Sequence, residues 1–190
     1  DAASAVSNAR AAGFSNINVD LIFGVLDETV EHWDNELSQA IALQTEHVSA
    51  YALTIEPGTE FGRSARRGKT LVTEDEAGAA MFGLTCDRLA AVGMQPYEIS
   101  NFALPERECQ HNLGYWFGSD YLGVGAGAHS FRACRAPENS EVDILGYRWS
   151  NVPGPDLYIR RALDSGDASQ LREEISPEKA RIEFFFLGLR

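Results

Sequence analysis

Apolar positions follow two rhythms along this chain. Residues 2–12, AASAVSNARAA, are rich in strong helix formers and run into Gly13, which predicts a helix with a glycine stop. INVDLIFG, residues 17–24, is short, β-branched and almost wholly apolar, with one acid, Asp20, inside it. Such a run predicts a strand buried on both faces, as in a parallel sheet. Thr29 then precedes Trp33, Leu37, Ala40 and Ile41, whose helical spacing predicts a capped amphipathic helix. HVSAYALTI, residues 47–55, reads as the next strand. Helix, strand, helix, strand is the rhythm of a β/α architecture.

Beyond this the pattern loosens. EPGT, residues 56–59, is a turn, and GRSARRGKT, residues 62–70, reads as a solvated basic loop. Thr73 with Glu76 forms a capping-box signature, which opens a long helix carrying Met81, Leu84, Leu89 and Val92 up to Gly93. MQPYEISNFA, residues 94–103, predicts a strand, and residues 136–142 a polar loop. Pro155 starts a short helix through Ala162. Ser176 and Pro177 start a last one, with Ile182, Phe185, Phe186 and Leu189 as its stripe. Both ends of the sequence fall inside helical patterns, so the chain reads as a fragment of a longer protein.

The formal net charge of −12 argues against nucleic acid and anionic membrane surfaces as partners, because both need a positive field. No apolar run is long enough for a membrane span, so no integral membrane segment is expected. Cys86, Cys109 and Cys134 are odd in number and far apart. That pattern suits a reducing cytoplasm rather than a disulfide framework, and lacks the spacing of a zinc or iron–sulfur motif. Oligomeric state has no signature.

Candidate chemistry gathers in two places. Asp20 is an acid in an apolar strand, which is costly unless it is paired or faces a site. In β/α barrels such groups gather where strands end; a carboxylate there would accept from ribose hydroxyls, an amine or a protein Arg. CQHNLGYWFGSDYLGVGAGAHS, residues 109–130, holds His111, Tyr115, Trp116 and His129 among five glycines. Neutral imidazole ligates iron or zinc, and the aromatic pair suits either packing or a flat apolar cofactor. GVGAG, residues 123–127, departs from the phosphate-binding G-x-G-x-x-G pattern, and close backbone packing explains its glycines better.

INVDLIFG, HVSAYALTIEPGT, YEISNFA, HNLGYW, DYLGVGAGAHS and FFFLGLR, in this order, resemble the radical S-adenosylmethionine proteins related to oxygen-independent coproporphyrinogen III oxidase. YEISNFA, HN-x-x-YW and GAHS resemble the heme chaperone branch of that family rather than the oxidase proper. The resemblance implies an α/β fold: the later part of an open, partial, TIM-like (β/α) barrel, followed by the start of a helical C-terminal domain. Residues 1–135 would be barrel and extension, and residues 136–190 the connecting segment and the start of that domain.

It implies S-adenosylmethionine near Asp20, Ile22, Tyr51 and Thr54. It implies heme near His111, Tyr115 and Trp116, with His111 toward the iron, and an acceptor hemoprotein as partner. Decarboxylation of coproporphyrinogen III is the alternative activity. The family's C-x-x-x-C-x-x-C loop for the [4Fe–4S] cluster is absent, so cluster ligands are expected outside this chain. Two turns also depart from the family pattern, with Leu26 and Ala126 where it has Pro.

Overall fold

The computed structural model describes residues 1–134 and 144–189, which form two compact units, Asp1–Glu108 and Cys109–Arg190. The polar loop expected at residues 136–142 lies outside the described residues.

The first unit opens with α1 (Ala2–Ala11), capped by the Asp1 carboxylate, which accepts from Ser4 N at 2.8 Å. Gly13, at φ +95°, ends it, as expected. β1 (Asn18–Phe23), α2 (Val30–Ala42) and β2 (His47–Ala52) follow in a βαβ unit whose strands pair in parallel. Thr29 Oγ1 accepts from His32 N at 3.2 Å and starts α2 where the pattern places it. The basic stretch, expected as loop, instead contains a short helix, α3 (Glu60–Arg66). Thr59 caps it, Glu60 lies at its positive end and Arg63 and Arg66 at its negative end. Charge marked solvent exposure there without excluding helix.

α4 (Asp75–Ala91) starts one residue later than Thr73 as N-cap implies, and no side chain caps it. Thr73 N donates to Gly24 O at 3.0 Å, and Val72 bridges Val25, so this segment extends the end of β1 instead. The single strand expected over residues 94–103 is a tight hairpin, β3 (Gln95–Pro96) and β4 (Asn101–Ala103). β4 runs antiparallel to β2, giving the sheet order β1-β2-β4-β3.

One face of this sheet carries the core. Phe23, Val48, Ala50 and Phe102 meet Trp33 and Leu37 of α2 and Met81 and Leu89 of α4. Leu84 packs against this cluster, whereas Val92 is exposed. Trp33 and Leu37 are fully buried; at roughly 1.5–3 kcal/mol per large apolar side chain, such residues dominate the stability of the unit.

In the second unit, α5 (Gln110–Trp116) precedes β5 (His129–Ala133), β6 (Gly146–Asn151), α6 (Pro155–Ser165), β7 (Ser169–Ile175) and α7 (Pro177–Gly188). The strands make an antiparallel sheet in the order β5-β6-β7. The C-terminal region thus combines helices with a sheet whose strands β6 and β7 the apolar rhythm does not announce. Ser176 Oγ accepts from Lys179 N and caps α7 as expected. Its stripe, Ile182, Phe185, Phe186 and Leu189, is exposed.

Candidate functional site

β1 lies at one edge of the sheet, and its residues facing away from the core are exposed, which overturns the expectation that it is buried on both faces. Side chains alternate across a strand, so Val19, Leu21 and Phe23 point one way and Asn18, Asp20 and Ile22 the other. Parallel register places Asn18 beside His47, Asp20 beside Ser49 and Ile22 beside Tyr51. The sheet face opposite the core therefore presents Asp20, Ile22 and Tyr51 together. All three are exposed, Ile22 at 55% and Tyr51 at 40%. Thr54 stands apart, beyond the end of β2, where its hydroxyl donates to Ala52 O at 3.4 Å.

Three residues that sequence reasoning missed complete this face. Asn18 Nδ2 donates to Asp20 Oδ1 at 2.7 Å and to Ser49 Oγ at 2.9 Å. Its Oδ1 lies 2.7 Å from His47 Nδ1, and His47 Nε2 lies 2.7 Å from the Tyr97 hydroxyl. Because Asn18 uses its NH₂ on Asp20 and Ser49, its oxygen faces His47, and Nδ1 must carry the ring proton. The neutral ring then accepts from Tyr97 at Nε2. Burial pushes His47 below its ordinary 6.5, against the opposing pull of Asp20, Glu98 and Glu108.

Asn101, paired with Ser49 on this face, is buried, and its Nδ2 donates to Glu98 Oε1. Its Oδ1 has no hydrogen-bond partner among the described residues. An exposed carboxylate beside an apolar and an aromatic side chain fits a nucleoside: hydroxyls donate to the acid while the base packs on Ile22 and Tyr51.

In the second unit, His111 and Tyr115 lie one turn apart on α5, ring edge to ring face, with centroids 4.7 Å apart. The stack continues from Tyr115 to Tyr121 at 4.5 Å and on to Phe131 at 6.1 Å. His111 is exposed and Tyr115 is 37% exposed, whereas Trp116 is half-buried. His111 therefore presents an accessible imidazole whose ring is braced by a row of aromatics. His129, on β5, is also exposed.

The glycine loop is structural, as expected. Gly123 N donates to Ser130 Oγ at 2.9 Å, and Gly125 N to the Tyr158 hydroxyl at 3.1 Å. Asn151 Nδ2 donates to the carbonyls of Gly123 and Gly125. A Cβ on Gly123 would collide with the His129 carbonyl. With those two amides already bonded, the loop offers no phosphate cradle.

Among the described residues no three His, Cys, Asp or Glu side chains gather to hold a metal, and no disulfide joins the three cysteines. A [4Fe–4S] cluster does not fit the described residues. A single imidazole such as His111 fits an axial position on heme iron. Among the described residues no helix is long and apolar enough to cross a membrane.

No family model matches the chain. The heme chaperone HemW of Bacillus subtilis is 35% identical over 190 residues, covering all of this chain and 47% of that protein. HemW of Mycobacterium tuberculosis is 39% identical over 157 residues, covering 83% of this chain and 37% of that protein. The chain belongs to the HemW-like radical S-adenosylmethionine family. It spans about half the length, or less, of these relatives. Among solved structures, coproporphyrinogen III oxidase (HemN) from Escherichia coli, a radical SAM enzyme, matches with a TM-score of 0.73 at 18% identity. The match covers 99% of this chain and 43% of HemN, and it establishes the TIM-like α/β fold.

Proposed function

We propose that the protein is a cytoplasmic heme chaperone that binds heme at His111 and passes it to an acceptor hemoprotein. The observation that carries this reading is the exposed imidazole of His111, held edge-on by Tyr115 within HNLGYW. An imidazole supplies an axial ligand, and Tyr115 and Trp116 supply apolar contact for the porphyrin. Relatives named heme chaperone, matched along the chain, support it. Three cysteines outside any disulfide suit a reducing compartment.

In the same reading Asp20, Ile22, Tyr51 and Thr54 hold S-adenosylmethionine. When bound, that cofactor would supply one-electron chemistry in concert with a cluster held elsewhere in the protein. This chain's part is to bind and orient it: Asp20 accepts from the nucleoside, and Ile22 and Tyr51 pack against the base.

Heme titration of the full-length protein tests the proposal. His111→Ala should move the Soret and visible bands, because the axial ligand sets the electronic state of the iron. His129→Ala should leave them in place. If only His129→Ala moves the bands, the ligand is His129. If neither does, and the protein decarboxylates coproporphyrinogen III under reducing anaerobic conditions, the chaperone reading gives way to the oxidase.

A further inference from the structure

We propose that His47 is a positioning residue for Asp20, acting through the side-chain amide of Asn18. The proposal rests on the reading that Asp20 contacts the cofactor. An exposed Asp on an open sheet face has several rotamers to choose from. Here one is selected, because Asn18 Nδ2 holds Oδ1 at 2.7 Å. That contact leaves Oδ2 without a protein partner among the described residues, available to a ligand donor.

Asn18 holds Asp20 only in one amide orientation. Turned over, it would set its carbonyl against the Asp20 carboxylate and its NH₂ against the protonated Nδ1 of His47. The His47 Nδ1 proton and the Asn18 oxygen thus hold one another, and together with the Asp20 carboxylate they select the observed orientation. His47 is itself fixed from three sides. It is 3% exposed, it sits beside Asn18 in the parallel register, and Tyr97 holds Nε2 at 2.7 Å. Tyr97 is in turn tied to the hairpin, where its N donates to Asn101 O at 3.1 Å. The YEISN hairpin thus sets the ring, the ring sets the amide, and the amide sets the acid. A buried chain of paired groups of this kind holds a site group more tightly than any one of its bonds.

The two His47 replacements separate positioning from packing. His47→Asn keeps a donor near Nδ1, facing Asn18; His47→Gln keeps a polar group near Nε2, facing Tyr97. S-adenosylmethionine binding to the reconstituted full-length protein is measured by calorimetry. His47→Gln should weaken it about tenfold, the loss of one charge-linked hydrogen bond, and His47→Asn by less than about threefold.

In an Asp20→Ala background, which should itself bind about ten- to a hundredfold more weakly, His47→Gln should have no further effect. Asn18→Asp, which can accept from His47 but cannot donate to Asp20, should repeat the pattern and serves if His47→Gln does not fold. Equal losses for Gln and Asn, or an undiminished His47→Gln effect without Asp20, would reduce His47 to a packing role and overturn the proposal. Unchanged affinity in Asp20→Ala alone would overturn the cofactor reading of Asp20 and this relay with it.

Discussion

Arg148 donates from Nη2 to both carboxylate oxygens of Glu183, at 3.0 and 2.9 Å. The contact ties α7 to β6, the central strand of the second sheet. The same guanidinium reaches Glu173 at 3.2 Å and lies 5.9 Å from the centre of the Phe131 ring. Hydrogen bonding to Glu183 holds the Arg148 pKa above its ordinary range, against the effect of burial. Both side chains are about a third exposed, so solvent screens the pair. Glu183→Gln should cost about 1 kcal/mol and should act locally. Amide exchange should quicken along α7 while α2 keeps its protection; unchanged exchange in α7 would show the pair to be a surface ornament.

Two glycines should answer alanine in opposite directions. Gly123 has the His129 carbonyl where a Cβ would go, so Gly123→Ala must displace β5 or its loop. Overpacking of this kind costs roughly 1–3 kcal/mol. Gly83 lies in the middle of α4 with nothing within 4 Å of a Cβ. Gly83→Ala should stabilise the first unit by about 0.5–1 kcal/mol through helix propensity. Thermal melts of the two variants should shift apart; a neutral Gly123→Ala would mean that the loop yields freely.

These contrasts bear on what a sequence reveals. The βαβ unit was legible because its cues are local: Thr29 as cap, the Trp33–Leu37–Ala40 spacing and the β-branched apolar run of β1. α3 was not, since Arg63, Arg66 and Arg67 report solvation and say nothing of conformation. The hairpin within residues 94–103 lacks a glycine turn. Its turn is held by the Glu98 carboxylate, which accepts from Ser100 N and Asn101 Nδ2, a contact that only folding creates. Asp20 stood out as an acid in an apolar run. His47, Asn18 and Ser49 did not, because they become neighbours only through the parallel register of strands separated by a helix. The edge position of β1 was equally hidden: strand order is a property of the sheet, and an apolar run looks the same at its edge as at its centre.

The buried polar contact between the two core helices should carry measurable stability. Trp33 Nε1 donates to Thr85 Oγ1 at 2.9 Å, and the Thr85 hydroxyl donates to Met81 O at 2.8 Å. Both side chains are fully buried. Thr85→Val keeps the shape but removes the acceptor, leaving the indole N–H only the 3.2 Å contact with Met81 O. The expected loss is about 1–2 kcal/mol in chemical denaturation, with an unchanged denaturant slope. Thr85→Ser keeps the hydroxyl and should lose less of the polar contact. If Val were as stable as wild type, packing alone would account for this junction.

His47 should also write itself into the pH dependence of folding. Burial depresses its pKa below 6.5, while Asp20, Glu98 and Glu108 pull the other way. Tyr97 and Asn18 face its two nitrogens and keep the neutral tautomer satisfied. An unfolded chain takes up a proton near 6.5, whereas the folded ring resists until a lower pH. Between those two values the unfolded state binds more protons, so stability falls as pH falls, and it is fully present above about 6.5. The acids with lowered pKa values, Glu46, Asp167 and Glu173, bend the curve in the same direction but in the carboxylate range. His47→Asn removes the titrating ring and leaves those acids in place. Denaturant melts from pH 5 to pH 8 should therefore show a slope below about pH 6.5 in the wild type that His47→Asn flattens. Parallel slopes in both proteins would mean that His47 titrates alike in the folded and unfolded states. The buried hydrogen bond from Tyr97 would then have no bearing on its protonation.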